Sequence, residues 1–267
     1  MELFRRTAVA VIFIPVLLLI FFYGDVPLLI FLTILSVLGM LEMRDMMLLK
    51  NIRLSRLLIP LNAIFLLIAS LMHGIELYFA LILLFLFIFF RDLFANRLEG
   101  SICRGSVSLF AVLYTALLPA AIFRVSLIDK GPKLLILILV SCWITDSFAY
   151  FIGMKLGKHR GIFRVSPKKS VEGFIGGFIV TGIVLLAFHY FMPDLFTLGQ
   201  IAAAILSAGI FGQIGDLFES MLKRDVGIKD SSNLIPGHGG ILDRFDSVLV
   251  AIPIFYFLLT LLNHFYK

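Results

Sequence analysis

Long apolar stretches separated by short charged segments run through the whole sequence, and they limit the folds open to it. Apolar residues make up 61% of the chain and charged residues only 15%, whereas soluble domains average about 45–50% apolar and about 25% charged. A membrane-spanning helix needs about 20 apolar residues. We therefore predict an all-α, polytopic membrane protein with nine transmembrane helices, at residues 7–23, 27–43, 57–73, 75–90, 105–127, 132–153, 172–192, 197–221 and 247–265.

The distribution of basic residues predicts how these helices are oriented. With the N terminus in the cytoplasm and the C terminus outside, 19 of the 23 Lys and Arg residues fall on the cytoplasmic side and 4 on the other. This is the positive-inside bias of membrane proteins, and it accounts for the net charge of +6 without a nucleic-acid partner. No small-residue cleavage site follows Tyr23, so residues 1–23 are expected to be an uncleaved first helix. Cys103 and Cys142 lack metal-type spacing and imply no disulfide framework.

The sequence divides by role at residue 104. Residues 1–104 carry little intramembrane polarity and are predicted to be scaffold helices, while residues 105–267 form a catalytic region with cytoplasmic loops at 154–171 and 222–246. The shift shows first at Asp146, because an ionisable residue inside a span is costly and indicates a functional site. A structural hydrogen bond to a neighbouring helix is the alternative. Gly153 and Gly157 follow at four-residue spacing, a pattern that predicts close helix packing.

A strongly basic segment follows between Lys155 and Gly177. Its charge indicates an anionic partner, either lipid headgroups or a nucleoside polyphosphate. Ser170 is suited to cap the seventh helix, and Glu172 would complement the positive end of that helix. Free N–H groups at a helix start, beside the adjacent Lys168 and Lys169, favour phosphate.

The densest charge cluster lies between Gln213 and Ser247. Offsets of three, four and seven place four residues on one face of the eighth helix, namely Asp216, Glu219, Ser220 and Lys223. Asp243 and Asp246 lie near the start of the ninth helix, so three or four carboxylates can converge at one membrane depth. Oxygen ligands without a nearby cysteine favour a hard ion such as Mg²⁺ over zinc.

The loop between these helices contains the glycine-rich stretch 236–240, PGHGG, which permits close backbone approach to a ligand. His238 has three roles open to it: a phosphate donor, a general acid or a loop hydrogen bond. Asp225 and Asp230 are expected to be solvated surface charges. No Walker A sequence is present, which excludes a P-loop enzyme.

Residues 220–246 resemble the signature of the phosphatidate cytidylyltransferase (CDP-diacylglycerol synthase) family. The resemblance rests on SMLKR at 220–224, Lys229-Asp230, and PGHGGILDRFD at 236–246. The motifs DSFAY at 146–150, SPKKS at 166–170 and Glu172-Gly173 look like the same family. Ser170 stands where threonine is more usual, and it keeps the hydroxyl. The resemblance covers the C-terminal half, and the N-terminal half is compatible as hydrophobic helices.

The resemblance implies an Mg²⁺-dependent nucleotidyltransferase of phospholipid biosynthesis. It would convert CTP and phosphatidic acid to CDP-diacylglycerol and pyrophosphate at a cytoplasm-facing site in the bacterial inner (plasma) membrane. Its partners would be CTP, phosphatidic acid and membrane lipid, and a homodimer is the base-rate expectation for its assembly.

The resemblance also implies roles for individual residues. The expected catalytic residues are Asp216, Asp243, Asp246, Lys223, Arg224 and His238. The expected substrate-binding residues are Ser166, Lys168, Lys169, Ser170, Glu172, Lys229, Gly239, Gly240 and Arg244. The expected Mg²⁺ ligands are Asp216 and Asp246, followed by Asp243 and Asp146, and a second cation could bridge nucleophile and leaving group.

Two other functions remain open at this point. A CTP-dependent lipid-alcohol kinase would use a similar site and release CDP in place of pyrophosphate. A cation transporter could use Asp146, Asp216 and Asp246 as a relay, but it would need a polar stripe through the outer leaflet. The outer halves of helices eight and nine are mostly apolar, with Gln200 and Ser207 among the exceptions.

Overall fold

The computed structural model describes residues 2–234 and 239–265, with side chains for residues 11–234 and 239–264. This part of the chain contains no β-strand, and the helices account for most of it. They are α1 (Glu2–Tyr23), α2 (Asp25–Leu49), α3 (Leu58–Leu71), α4 (Ile75–Phe94), α5 (Ser101–Ser126), α6 (Gly131–Leu156), α7 (Val171–Phe191), α8 (Leu198–Asp225) and α9 (Leu242–Phe265). The all-α fold predicted from the apolar stretches is confirmed.

Seven of these helices have the length and apolar composition to cross a membrane. Two other helical segments are apolar but shorter. They are Val11–Tyr23, the part of α1 with described side chains, and α3. With 14 residues, α3 is about 21 Å long at a rise of 1.5 Å per residue, against a hydrocarbon core of about 30 Å. The chain is therefore a polytopic membrane protein, while the crossing of the membrane by α1 and α3 stays a prediction.

Three predicted helix ends differ by five or six residues from those in the structure, and the first of them is the start of α1 at Glu2 and not at residue 7. Helix α2 continues from residue 43 to Leu49, because its last turns consist of good helix formers and bury Met43, Met46 and Met47. Helix α9 begins at Leu242 and not near residue 247. Asp243 and Asp246 therefore lie within the first turns of α9, and not in the preceding loop.

The chain forms two compact units, each with its own internal packing. The first comprises Met1–Leu127 and Asp230–Leu242, and the second comprises Ile128–Lys229 and Asp243–Lys267. These units are defined by contacts between residues. The predicted division at residue 104 separates scaffold from catalytic helices, and it stays a prediction.

Buried hydrogen bonds connect α2, α3 and α5 in the first unit. The Asn62 amide donates to Ser36 O at 2.9 Å, to Ser36 Oγ at 2.7 Å and to Thr115 Oγ1 at 2.9 Å. Thr115 lies in a π-helical turn, Leu113–Leu117, inside α5. Because an unpaired polar group is costly in an apolar environment, this network fixes how the three helices pack.

Glycines allow α6 and α7 to pack closely in the second unit. A Cβ atom at Gly173 would lie 2.6 Å from Ala149 O, and one at Gly177 would lie 2.8 Å from Thr145 O. From the other helix, a Cβ at Gly153 would lie 3.2 Å from Ser170 Oγ. The close packing predicted from the glycine spacing in α6 is confirmed.

A second π-helical turn, Ser207–Gly212, interrupts α8 in the middle. The Gln213 side chain follows it and donates to Phe174 O at 3.0 Å and to Gly209 O at 2.6 Å. The first bond joins α8 to α7, because Phe174 lies in α7. The second bond satisfies the Gly209 carbonyl, which belongs to the π-helical turn. The turn shifts the register of α8 just before its charged end.

Candidate active site

A cavity of about 600 Å³ lies in the second unit, between α6, the loop 157–170, α7 and α8. Its walls combine both signs of charge with aromatic and aliphatic surface. The charged residues that line it are Asp146, Arg160, Lys168, Lys169 and Asp216. Such a combination suits an amphipathic ligand whose polar part carries several negative charges.

The wall formed by the loop 157–170 ends in the cap of α7. Ser170 Oγ accepts a hydrogen bond from Gly173 N at 3.1 Å, so the predicted N-cap is confirmed. Gly157 packs onto the same hydroxyl, since a Cβ there would lie 2.6 Å from Ser170 Oγ. Ser170 is buried and lines the cavity, and its role in substrate binding stays a prediction.

Glu172 and His159 hold the loop at its other side. The carboxylate of Glu172 lies 2.5 Å from His159 Nδ1 and accepts the His159 backbone N–H at 3.1 Å. Arg160 then donates to Gly153 O at 2.7 Å, at the end of α6. The loop that presents Lys168 and Lys169 is therefore connected to both flanking helices, while a direct contact of Glu172 with substrate stays a prediction.

An ion pair joins this loop to α8 across the cavity wall. Lys169 Nζ lies 2.6 Å from Asp216 Oδ2, and each side chain is about one-third exposed, 31% for Lys169 and 30% for Asp216. Ser220 Oγ donates to the other carboxylate oxygen of Asp216 at 3.3 Å. The structure thus brings together Lys169 and Asp216, which are 47 residues apart in the chain.

A second ionic cluster lies where α8 meets α9. Lys223 is 9% exposed and forms ion pairs with Glu219, one turn earlier, and with Asp243 in the first turn of α9. The family resemblance implies a catalytic role for Lys223, in which its ammonium group would bind phosphate. In the structure its ammonium group neutralises two carboxylates, and phosphate binding stays a prediction.

Asp246 lies near both clusters. Its carboxylate accepts the N–H of Ser247 at 2.6 Å, and Ser247 Oγ donates to Asp146 Oδ2 at 3.3 Å. It lies within electrostatic range of Asp216, Glu219 and Asp146. Negative charge therefore accumulates between α6, α8 and α9, against the basic loop.

Gly215 allows α8 and α9, and therefore their carboxylates, to come close together. This residue is not among those predicted from the sequence. A Cβ at this position would lie 2.6 Å from Asp246 O and 3.0 Å from Val250 Cβ. The signal in the sequence is a glycine directly before a carboxylate inside an apolar helix. With Gln213, it belongs to the residues that place Asp216.

The carboxylates between α6, α8 and α9 are candidate ligands for a metal ion. Among the residues with described side chains, no three His, Cys, Asp or Glu residues are arranged to hold one. The oxygens of Asp146, Asp216 and Asp246 nevertheless repel one another, and such hard anionic donors suit Mg²⁺. Since Mg²⁺ commonly uses one or two carboxylates with substrate phosphates and water, the donor chemistry fits.

The remaining predicted residues lie outside the cavity wall. Arg224 donates to Ile228 O at 3.0 Å, and its side chain is exposed, as are those of Lys229 and Arg244. Ser166 donates its N–H to Phe163 O at 3.0 Å, in the turn before Lys168. The predicted roles of these residues in binding or catalysis are untested.

The glycine-rich stretch falls partly outside the described residues. His238 is among those not described, so its predicted catalytic role has no structural counterpart. Gly239 has a φ of +80°, a backbone conformation that favours glycine. Gly240 is buried in the first unit, and both glycines keep their predicted substrate-binding role as a prediction.

Charges of both signs around a cavity among apolar helices define an integral membrane protein with an intramembrane polar site, the usual position of functional ionisable groups. Comparison with known proteins makes the class specific. The chain belongs to the cytidylyltransferase family, whose family model matches residues 4–262. The match includes the N-terminal helices, which the motifs of the sequence do not reach.

Curated bacterial relatives agree with this assignment. The chain is 33% identical to the phosphatidate cytidylyltransferase of Staphylococcus aureus (strain COL) over 263 residues, which cover 95% of this chain and 98% of the relative. It is 31% identical to the enzyme of the same name from Staphylococcus haemolyticus (strain JCSC1435), with the same coverage. A 124-residue segment is 46% identical to the Bacillus subtilis (strain 168) enzyme and covers 46% of each chain.

Proposed function

We propose that this protein transfers CMP from CTP to phosphatidic acid, giving CDP-diacylglycerol and pyrophosphate. The observation that carries the proposal is the cavity in which Asp146 and Asp216 face Lys168 and Lys169. Membership of the cytidylyltransferase family and the names of the relatives support the same reaction.

The reaction needs charge neutralisation more than an activated side chain. An oxygen of the lipid phosphate attacks the α-phosphorus of CTP, a new P–O bond forms, and the bond to the β-phosphate oxygen breaks. The electron pair leaves with pyrophosphate. The nucleophile is already an anion, so the protein has to hold two anionic substrates in line and stabilise the leaving group.

Basic residues of the loop 157–170 are placed for this task. Lys168 and Lys169 line the cavity beside the N-terminus of α7, where free N–H groups also favour phosphate. Lys169 is held by Asp216, so its ammonium group has a defined position before substrate binds. Arg224 at the end of α8, Lys229 in the loop that follows and Arg244 in the first turn of α9 would also meet phosphate.

The carboxylates would hold Mg²⁺, and Asp216 and Asp246 are the proposed first ligands, with Asp243 and Asp146 next. When bound, Mg²⁺ supplies positive charge to the triphosphate and the leaving pyrophosphate. Asp146 receives a hydrogen bond from Ser247, and Lys169 neutralises one oxygen of Asp216. These contacts orient both carboxylates toward the same cavity.

The proposed location is the bacterial plasma membrane, with the cavity open to the cytoplasm. The positive-inside bias supports this orientation, because the basic loop 157–170 and the end of α8 then lie on the cytoplasmic side, where CTP is available. The apolar part of the cavity wall suits the acyl part of a lipid that enters from the bilayer.

An assay of the purified protein with labelled CTP and phosphatidic acid, with and without Mg²⁺, tests the proposal. We expect CDP-diacylglycerol and pyrophosphate, and only when Mg²⁺ is present. Diacylglycerol replaces phosphatidic acid in a parallel reaction. Release of CDP with formation of a lipid phosphate there, and no product from phosphatidic acid, would identify a lipid-alcohol kinase instead.

A further inference from the structure

The carboxylate of Glu42 is buried in α2 and accepts four hydrogen bonds within the described part of the chain. Its Oε1 accepts from Ser232 Oγ at 2.6 Å and from the Ile241 N–H at 2.7 Å. Its Oε2 accepts from Ser231 Oγ at 2.8 Å and from the Leu242 N–H at 3.0 Å. Glu42 is 4% exposed, and all five residues belong to the first unit.

Four donors match the number of hydrogen bonds that the two oxygens of a carboxylate can accept. An ionised carboxylate only accepts hydrogen bonds and has about four lone-pair sites. Bonds to an ionised acceptor are also roughly twice as strong as neutral ones. Each oxygen of Glu42 therefore accepts two hydrogen bonds, and a neutral side chain of the same size could not reproduce all four.

The donors come from both sides of the glycine-rich stretch. Ser231 and Ser232 precede it, whereas Ile241 and Leu242 follow it, so one side chain joins the two flanks. Gly240 lies against this contact, because a Cβ there would be 2.6 Å from each Glu42 oxygen. The close approach to Glu42 gives a structural reason for glycine at position 240.

The contact also sets where α9 begins. The first N–H groups of a helix have no partner within the helix, and a carboxylate at this end is favourable. Glu42 supplies that carboxylate for Leu242, the first residue of α9. Asp243 is the next residue, and Asp246 follows one turn later in the same helix.

We propose that Glu42 is a positioning residue for nucleotidyl transfer: it fixes residues 231–232, and residues 241–242 at the start of α9, and thereby the placement of Asp243 and Asp246. The inference rests on the proposed function, and it assigns a role in the reaction to the N-terminal helices. The four residues that donate hydrogen bonds to Glu42 are not among those that line the cavity.

A substitution series at Glu42 separates charge, length and size. Glu42→Gln keeps the size but turns an N–H₂ group toward a backbone N–H that then has no acceptor. Glu42→Asp keeps the charge but is one methylene too short, and Glu42→Ala removes all four bonds. Asn62→Leu is the matched control, because it removes a buried hydrogen-bond network of the same unit that lies on α3 and does not touch the loop.

The first measurement is kcat and KM for CTP, both per folded protein. Because a misplacement of about 1 Å can reduce turnover about 100-fold, we expect a loss in kcat of about that size for Glu42→Ala. For Glu42→Gln and Glu42→Asp we expect about 10-fold, on the same argument. We expect Asn62→Leu to keep its kcat per folded molecule. Equal losses in Asn62→Leu and the Glu42 variants would overturn the proposal, as would wild-type kcat in Glu42→Ala.

The second measurement is hydrogen–deuterium exchange, which needs no activity. Peptides that contain residues 239–245 should exchange at least 10-fold faster in Glu42→Ala than in wild type, and they should be unchanged in Asn62→Leu. Unchanged exchange in Glu42→Ala would overturn the anchoring contact. If wild type made no CDP-diacylglycerol, the proposed function would fail, while this measurement would still decide whether Glu42 holds the loop.

Ser232→Ala keeps the test decisive if the Glu42 variants do not fold. It removes one donor and leaves the carboxylate with three. We expect a small loss of kcat, about 3-fold on the same positioning argument, with faster exchange at residues 239–245. Wild-type values for both quantities would contradict the role of the contact.

Discussion

The side chain of Lys223 lies between two carboxylates, those of Glu219 and Asp243. A lysine in this position can bind phosphate only if it gives up contacts with one of them. Its first task is therefore to allow two acidic residues to be buried side by side, which would otherwise be strongly unfavourable. Stability and activity measurements can separate this task from phosphate binding.

Replacing Lys223 should destabilise the fold itself. In Lys223→Met, both carboxylates lose their counter-ion, and breaking a buried ion pair in this way costs about 3–5 kcal/mol. We expect a clear fall in Tm in detergent. The double variant Lys223→Met/Glu219→Gln should recover part of this loss, because the side chain at position 219 is then neutral. Lys155→Met, on an exposed site in α6, serves as control. An unchanged Tm in Lys223→Met would show that the pairs contribute nothing.

Asp246 is the carboxylate on which the proposed metal site depends most. Asp246→Asn keeps the size and the contact with the Ser247 N–H but removes the charge. We expect CDP-diacylglycerol formation to fall at least about 100-fold, comparable to the loss of one key electrostatic group elsewhere. Asp194→Asn, at an exposed turn of the same unit, should keep wild-type activity. Near-normal, Mg²⁺-dependent turnover in Asp246→Asn would contradict the ligand assignment.

Lys169 should contribute to both substrate binding and the placement of Asp216. In Lys169→Met the carboxylate of Asp216 loses its partner at 2.6 Å and the cavity loses one positive charge. We expect a raised KM for CTP together with a kcat lowered about 10–100-fold, since positioning effects reach this size. Lys169→Arg should restore part of both values because it keeps the charge. Equal activity in the Met and Arg variants would argue against an ionic role.

The sequence points to individual candidate residues, whereas it does not show their partners. The family motifs contain Lys169 and Asp243, and spacing on one helix face points to Asp216. That Lys169 pairs with Asp216 depends on the path of the loop 157–170. The four partners of Glu42 lie 189 to 200 residues further along the chain, beyond the reach of any local pattern.

The element that most affects the site is α8, because it changes helical register before it becomes charged. The π-helical turn Ser207–Gly212 adds a residue to one turn, a feature that is often found at functional sites. Gln213 and Gly215 follow, and they bring the next turn against α7 and α9. The face that carries Asp216, Glu219 and Ser220 is thereby turned toward the charged region.

Gly215 should tolerate no side chain. In Gly215→Ala, the new Cβ would lie 2.6 Å from Asp246 O, so α8 and α9 would have to move apart. Overpacking of this kind costs about 1–3 kcal/mol, and we expect lower activity per folded protein together with a lower Tm. Gly182→Ala is the control, because its Cβ would be 3.8 Å from its nearest neighbour and alanine favours helix. A fully active Gly215→Ala variant would show that this close approach is unimportant.

Helix existence is predictable at this scale, but helix ends and register are not. Apolar runs of about 20 residues identify each helix. The end of α2 and the start of α9 are predicted wrongly because the apolar pattern stops at a charged residue, whereas Arg44 and Asp243 remain helical. Neither π-helical turn has a signal in the apolar pattern.

At the scale of the whole molecule, the number of helices that cross the membrane depends on α1 and α3. Within the described residues, seven helices are long and apolar enough to cross. Helix α3 is about 9 Å shorter than the hydrocarbon core of about 30 Å. Arg124 reaches the end of α3, where its Nε donates to Ala69 O at 2.7 Å. A charged group at that end favours a polar surrounding, as the predicted nine-span orientation requires.

Cysteine labelling in oriented vesicles can decide the orientation. In a background without Cys103, we expect Arg56→Cys to react with a membrane-impermeant maleimide from the cytoplasmic side only. His73→Cys and Asp194→Cys should react from the outside only. Labelling of both Arg56→Cys and His73→Cys from one side would show that α3 does not span, and labelling of Asp194→Cys from the cytoplasm would reverse the proposed orientation of the cavity.

The anchoring of residues 231–232 and 241–242 by Glu42 has a consequence for biosynthesis. Ribosomes make the N-terminal helices first, but the first unit includes Asp230–Leu242, and Glu42 finds its last partner 200 residues later. Until then an acidic side chain of α2 enters the bilayer without these donors, at the energetic cost of any unpaired charge there. The N-terminal unit of this enzyme is therefore completed only when almost the entire polypeptide has been inserted.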